Sequence, residues 1–256
     1  MAAEINQFLC LRDNFGVLLH DTLTGKTASI DAPEAAPILA VLSAKRWTLS
    51  HILITHHHTD HTQGVAELKA RFPAAIVVGP AKEATKIGSL DILVREGDEV
   101  RVGGLEARII EVPGHTSGHI AYWFASEKIL FTGDTLFALG CGRPFEEPAS
   151  VLFGSLMKIA ALPEDTQFYC GHEYTLSNAR FALSVDPSNL LLKERAAEIS
   201  RLRQSGEFTL PSTIGAELAT NPFLRVGGPD IQRALGMGGA DPEVVFAELR
   251  ERKNRF

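Results

Sequence analysis

Several features that define other classes of protein are scarce in this sequence. It has only three cysteines in 256 residues, an odd number that does not form the disulfide framework of a secreted domain. No apolar run approaches the roughly 20 residues that a membrane-spanning helix needs. The first residues, MAAEINQ, lack the basic and apolar segments of a signal peptide. We therefore expect a cytoplasmic protein that is not associated with a membrane.

Positive charge is also in deficit. The chain has 25 Lys and Arg against 31 Asp and Glu, a net charge of −6. Proteins that bind nucleic acid backbones usually carry a basic face, so we expect no nucleic-acid partner. The hydrophobic fraction of 45% is that of an ordinary globular protein. A chain of this length can bury a full core.

The predicted secondary structure changes character after about His172. Before that point, short apolar segments bounded by Gly and Pro predict strands that alternate with a few helices. Beyond it, the pattern predicts helices over 173–185, 190–204, 212–219 and 242–253, and no strand. The sequence thus predicts an α/β domain over 1–172, followed by a helical C-terminal domain over 173–256.

The densest group of histidines directly follows a predicted buried strand. It reads THHHTDH over 55–61. In an extended segment His56 and His58 point to the same side, because side chains alternate along the chain. Asp60 and His61 can then turn toward a neighbouring point. Imidazole and carboxylate groups are ligands for a borderline cation such as zinc, so this segment is predicted to bind metal.

Three further groups also follow predicted strands. They read PGHTSGH over 113–119, GDT over 133–135 and GHE over 171–173. Each is weak by itself, since Asp after Gly is common in turns. Together they place His115, Asp134 and His172 in loops at strand ends, where functional sites gather.

In this order, the four groups resemble the signature of the metallo-β-lactamase superfamily. The resemblance implies a four-layer αββα sandwich with two divalent metal ions at one edge. The implied ligands are His56, His58 and His115 for one ion, Asp60, His61 and His172 for the other, and Asp134 as a bridge between them. His57 occupies a variable position of the motif, so we expect a structural role for it. We expect His119 to lie in the core or behind the ligands.

Later segments narrow the resemblance. They read GDTLF, GCGR, YCGHEYT, LPST, NPFLR and, near the C-terminus, LRERK. Across essentially the whole chain they are similar to glyoxalase II, the hydroxyacylglutathione hydrolase family. The resemblance implies hydrolysis of S-D-lactoylglutathione to glutathione and D-lactate, the second step of methylglyoxal detoxification.

The same resemblance implies the cofactor and the mechanism. Zinc is the expected metal, with iron and manganese as alternatives. A hydroxide shared by the two ions would attack the thioester carbonyl, with Asp60 and Asp134 as catalytic residues. We expect the protein to be a monomer.

The resemblance also implies contacts to the glycine end of the tripeptide. The residues it places there are Arg143, Tyr174, Arg250 and Lys253. The last two are three positions apart on a predicted helix and so share a face. Phe145 stands where some members have Tyr, and Glu146 and Glu147 stand where a glycine is often found. These departures predict weaker glutathione binding.

Three alternatives remain at this point. One is a mononuclear iron persulfide dioxygenase, and another is a different hydrolase of the metallo-β-lactamase fold. The third, a non-catalytic metal-binding module, is disfavoured because all seven candidate ligands are present. Metal stoichiometry separates the dioxygenase from a binuclear hydrolase.

Overall fold

Six strands of the computed structural model, which describes residues 2–256, form a sheet whose strand order follows the chain. The first three strands are antiparallel, and the third to the sixth are parallel. The strands are β1 (Ala3–Cys10), β2 (Asn14–Asp21), β3 (Lys26–Ile30), β4 (Thr48–Leu53), β5 (Ile76–Pro80) and β6 (Ile92–Val94).

Parallel neighbours require crossover segments, and here these are mostly helical. The helices are α1 (Ala35–Lys45), α2 (Thr59–Thr62), α3 (Val65–Arg71) and α4 (Ala84–Ile87). Ile38 and Leu42 of α1 and Leu68 of α3 are buried in one cluster with Ile52 and Val77 of the sheet. This core holds the helices against one face of the sheet. Helices α2 and α3 are separate, because α2 ends at Thr62 and α3 begins at Val65.

Four antiparallel strands form a second layer in the same part of the chain. They are β7 (Glu99–Val102), β8 (Leu105–Glu111), β9 (Ile120–Phe124) and β10 (Ile129–Gly133). The chain turns between β7 and β8 at Gly103 and Gly104, and Gly103 has a φ of 64°, a conformation that suits glycine. The buried Tyr122 hydroxyl donates to the carbonyl of Ile54 at 2.8 Å, which ties β9 to the segment after β4.

The chain divides into two compact units. The first extends to Glu111 and includes Thr116–Gly133, and the second comprises Val112–His115 and Asp134–Phe256. The predicted domain boundary after His172 lies within the second unit and stays a prediction.

The second unit is mainly helical. Its helices are α5 (Ala149–Ala160), α6 (Thr175–Val185), α7 (Leu190–Gln204), α8 (Ile214–Thr220), α9 (Pro229–Leu235) and α10 (Pro242–Arg255). Its strands are β11 (Leu136–Phe137), β12 (Gly140–Cys141), β13 (Gln167–Cys170) and β14 (Ser212–Thr213). The predicted α/β class with a helical C-terminal part is confirmed.

Two local predictions were wrong in this unit. The region after His172 does contain a strand, since β14 pairs antiparallel with β13. A strand of two residues is too short for any alternation to show in the sequence. Helix α9 was not predicted, because its seven residues span too few turns for a clear period. Among the described residues, no helix has both the length and the apolar character required to cross a bilayer.

Candidate metal centre

Neighbouring parallel strands bring polar residues to one edge of the first sheet. Ile30 at the end of β3 pairs with Leu53 at the end of β4, and Leu53 pairs with Val78 of β5. The segments that follow these strands carry Asp31, the 55–61 histidine segment and Glu83. The carboxyl ends of parallel strands are a common place for a ligand site. The fold therefore gathers these side chains at such an edge.

The donor atoms of the histidine segment are spaced as metal ligands are. Nε2 of the fully buried His56 lies 3.2 Å from Nδ1 of His58. Nε2 of His61 lies 3.6 Å from Oδ2 of Asp60. Ligand atoms at the usual 2.0–2.1 Å from a tetrahedral ion are about 3.3 Å apart. Both pairs thus fit a cation between them.

Asp31 orients this segment, although the sequence analysis did not select it. Its Oδ1 accepts the Thr55 backbone N–H at 2.7 Å, and its Oδ2 accepts the Thr55 hydroxyl at 2.9 Å and Nδ1–H of His61 at 2.8 Å. Because Nδ1 of His61 donates, Nε2 of the neutral ring keeps its lone pair for a cation. The signal in the sequence was an Asp at the end of a predicted strand.

Two other histidines of the first unit have packing and hydrogen-bonding roles. Nδ1–H and the backbone N–H of His57 donate to Oε2 of Glu83 at 3.0 and 2.7 Å. The other Glu83 oxygen accepts the N–H of Gly118 at 2.9 Å. The buried His119 ring stacks on His56, with centroids 4.6 Å apart. These contacts agree with the structural roles expected for both histidines, and Glu83 is a second residue that the sequence analysis missed.

The second unit contains a matching group of three buried residues. Oδ2 of Asp134 lies 3.5 Å from Nε2 of His115 and 3.3 Å from Nε2 of His172. Nδ1–H of His115 donates to the carbonyl of Arg143 at 2.9 Å, so that Nε2 again keeps its lone pair. One carboxylate oxygen at ligand spacing from two imidazoles is the arrangement expected of a bridging aspartate.

Two residues predicted to contact the substrate lie next to this group. The Tyr174 ring stacks on His172, with centroids 4.6 Å apart, and is 37% exposed. Arg143 is exposed, and its guanidinium lies 5.5 Å from the centre of the Phe145 ring. Phe145 is 59% exposed and lies 5.2 Å from the His115 ring. An aromatic and a cationic side chain therefore flank the second group of donors.

The other two predicted substrate contacts, on α10, have different surroundings. Arg250 is buried and donates through Nη1 to the carbonyls of Cys141 and Gly142 at 3.1 and 3.4 Å. Lys253 is half-buried, with Nζ 5.0 Å from the centre of the Phe181 ring. Burial and the nearby Arg250 charge lower the pKa of Lys253 to about 8. The guanidinium of Arg250 is thus occupied by the backbone of residues 141 and 142, whereas the ammonium of Lys253 is more accessible to a ligand.

Comparison with known proteins identifies the family. Residues 9–172 match the model of the metallo-beta-lactamase superfamily, and residues 173–256 match that of the hydroxyacylglutathione hydrolase C-terminus. The hydroxyacylglutathione hydrolase of Chelativorans sp. (strain BNC1) is 57% identical over 256 residues, which cover 100% of both chains. The chain belongs to the hydroxyacylglutathione hydrolase family. The protein of the same name from Rhizobium meliloti (strain 1021) is 55% identical over 255 residues, covering 100% of this chain and 99% of the relative.

A solved structure supports the fold. The crystal structure of ETHE1 from Myxococcus xanthus has a TM-score of 0.71 and 27% sequence identity, and the match covers 98% of this chain and 91% of that one. The metallo-β-lactamase fold predicted from the histidine motif is confirmed. Membership of this superfamily, together with the ligand-spaced atoms of His56, His58, Asp60 and His61, supports the use of divalent metal ions.

Proposed function

We propose that this protein hydrolyses S-D-lactoylglutathione to glutathione and D-lactate, as a metal-dependent thioesterase. The observation that carries the proposal is the identity of 57% to a hydroxyacylglutathione hydrolase over the full length of both chains. The match includes the C-terminal segment specific to these hydrolases, which a general metallo-β-lactamase domain does not need. The persulfide dioxygenase, the other hydrolases of this fold and the non-catalytic module are therefore not favoured.

We propose that two divalent cations are held by seven side chains. The donor spacings of 3.2–3.6 Å within each unit support this assignment. The proposed ligands are His56, His58, Asp60, His61, His115, Asp134 and His172. Zinc is the proposed metal, since mixed nitrogen and oxygen donors suit it, although such donors also accept iron or manganese. When bound, such ions lower the pKa of water and polarise a carbonyl oxygen.

The protein's own contribution is to orient these donors before substrate arrives. Asp31 and the Arg143 carbonyl each accept a proton from Nδ1 of a histidine, and so fix the tautomer that can bind metal. Asp134 and Asp60 are the two anionic groups among the proposed ligands, and they would offset two of the four positive charges of two divalent cations. The leaving thiol of glutathione has a free pKa near 8.5, so no side chain is needed to protonate it.

We propose that Arg143, Tyr174 and Lys253 bind the glycine end of glutathione. An exposed guanidinium and a half-buried ammonium supply the positive charge that its carboxylate requires. Arg250 serves this site indirectly, because its hydrogen bonds hold the carbonyls of residues 141 and 142, just before Arg143. Phe145 lacks the hydroxyl of a tyrosine, and the nearby Glu146 and Glu147 carry negative charge, so we expect weak affinity for the tripeptide.

The remaining proposals concern organisation and location. We assign catalysis to residues 1–172 and substrate binding to residues 173–256, with Arg143 as a contribution from the first of these domains, in a monomer that acts in the cytoplasm. The three cysteines are buried and free of disulfides, which is the state expected in a reducing compartment.

The test is thiol release from S-D-lactoylglutathione by purified protein, with its metal content measured in parallel. We expect fast release, loss of activity after chelator treatment and recovery with zinc. No release by protein that carries two metal ions would contradict the substrate assignment. One iron per chain, with oxygen uptake on glutathione persulfide, would instead establish the dioxygenase.

A further inference from the structure

One side chain outside the proposed ligand set makes hydrogen bonds to both the backbone and the side chain of Asp60. Asn14 is the first residue of β2 and is only 4% exposed. Its Nδ2 group donates to the backbone carbonyl of Asp60 at 3.1 Å and to Oδ2 of the Asp60 carboxylate at 3.0 Å. We propose that Asn14 is a positioning residue that presets the Asp60 carboxylate for metal binding. The proposal rests on the proposed function of this site.

The chemistry of the asparagine suits this role. A carboxamide nitrogen has two N–H bonds and no charge. It can therefore donate to the backbone carbonyl and to Oδ2 of Asp60 without neutralising the carboxylate. An aspartate at position 14 would repel Asp60, and an alanine would leave its carboxylate without this donor. The amide therefore fixes the direction of the carboxylate while leaving its charge intact.

The need for such a contact follows from where Asp60 lies. Helix α2 has only four residues, too few for a helix to be stable by itself. The Asp60 side chain is 42% exposed, so packing alone does not define its rotamer. Asn14, in contrast, lies on a strand whose backbone is paired with β1 through Cys10. The contact thus anchors the short helix α2 to a residue whose position is fixed by the sheet.

The same contact sets the distance between two proposed ligands. Oδ2 of Asp60, the oxygen that Asn14 holds, is also the oxygen 3.6 Å from Nε2 of His61. His61 is itself fixed by Asp31. Two independent hydrogen bonds therefore hold the two sides of one donor pair. Loss of either should cost metal affinity even where the fold is retained.

The experiment is a double-mutant cycle between Asn14→Ala and Asp60→Ala, read as zinc affinity by chelator competition. Loss of an outer partner of a ligand usually weakens metal binding about 10- to 100-fold. In Asn14→Ala we expect a loss of this size for the zinc ion that Asp60 is proposed to bind, with activity partly recovered by excess zinc. In the Asp60→Ala background, Asn14→Ala should cause a much smaller loss, because the carboxylate contact is gone and only the contact to the backbone carbonyl of residue 60 is left.

The control is Asn6→Ala, which removes a half-buried asparagine from the neighbouring strand β1 and should leave zinc affinity unchanged. If Asn14→Ala does not fold, Asn14→Leu replaces it, since leucine has a similar branched shape but donates no hydrogen bond. Wild-type zinc affinity in Asn14→Ala, or an equal loss in both backgrounds, would overturn the role of Asn14 alone. Failure of the wild type to bind zinc would overturn the proposed function as well.

Discussion

Lys253 should make substrate binding depend on pH. Burial and the Arg250 charge lower the pKa of its ammonium from 10.5 to about 8. The side chain is therefore charged below pH 8 and loses its charge as the pH rises through that value. A lysine that binds a substrate carboxylate does so only while it is charged. Since kcat/KM reports the free enzyme, we expect it to fall above about pH 8.

The size of the effect follows from this pKa. With a pKa of about 8, Lys253 is about 90% charged at pH 7 and about 10% charged at pH 9, a roughly ninefold change. A hydrogen bond between charged groups contributes about 1.5–3 kcal/mol. Lys253 is only half-buried, so the lower figure applies, and Lys253→Ala should raise KM about tenfold at pH 7. The change in kcat should be small, because the contact is remote from the thioester and is equally present in the ground and transition states.

The assay is thiol release from S-D-lactoylglutathione between pH 6 and 9.5 for the wild type, Lys253→Ala and Lys253→Arg. Arginine stays charged throughout this range, so Lys253→Arg should keep its kcat/KM where that of the wild type declines. Titration of the substrate's own amino group affects all three proteins equally and cancels in their ratios. An unchanged KM in Lys253→Ala would refute the reasoning. So would a kcat/KM of Lys253→Arg that falls above pH 8 as much as that of the wild type.

Three further outcomes are expected. His58→Ala should carry one metal ion instead of two and lose most of its activity, since a bound metal ion supplies the nucleophile, whereas full activity with two ions would exclude His58 as a ligand. Glu217→Ala should lower the free energy of unfolding by about 3 kcal/mol in urea titrations, because four donors, from Leu139, Arg195, Ser212 and Asn221, each lose one acceptor and the Arg195 guanidinium loses its ion pair. A loss below about 1 kcal/mol would contradict this. Burial raises the pKa of all three cysteine thiols, so a thiol reagent at pH 7.5 should label the native protein only after denaturation; rapid labelling of folded protein would show that these thiols are accessible.

The sequence predicts local structure best where a pattern is long or carries its own turn. Helix α7 has the predicted bounds, Leu190–Gln204, and the hairpin of β7 and β8 turns at two consecutive glycines, a residue type that marks turns in a sequence. Strand β14 could not be predicted in this way. Its two residues gain their conformation from Gln167 and Phe168, more than 40 positions earlier in the chain. The conformation of β14 is therefore determined by its pairing with β13, and the residues near β14 in the sequence carry no signal of that pairing.

The residues of the candidate site also differ in whether a local pattern reveals them. The proposed ligands stand in short motifs, because each loop after a strand must present its donors together, and motifs of this kind can be found without a structure. The residues that orient the proposed ligands cannot be found in this way. Asp31 contacts a histidine 30 positions away, Glu83 one 26 positions away, and Asn14 contacts an aspartate 46 positions away. Only the register of the strands brings these partners together, so a single sequence shows them as ordinary polar residues.

The NPFLR segment, which helped to narrow the family, has a structural role of its own. The side-chain amide of Asn221 donates to the carbonyls of Phe137 and Gly140 at 3.2 and 3.0 Å. Between these two residues, Leu139 has a left-handed φ of 56°, and its N–H donates to Glu217 at 2.8 Å. The hairpin of β11 and β12, which leads directly to Arg143, is thus held by helix α8 and the residue after it. Asn221, more than 80 positions away in the chain, therefore holds the hairpin that precedes the proposed substrate-binding arginine. This structural requirement accounts for an asparagine at the start of NPFLR without giving it a chemical step.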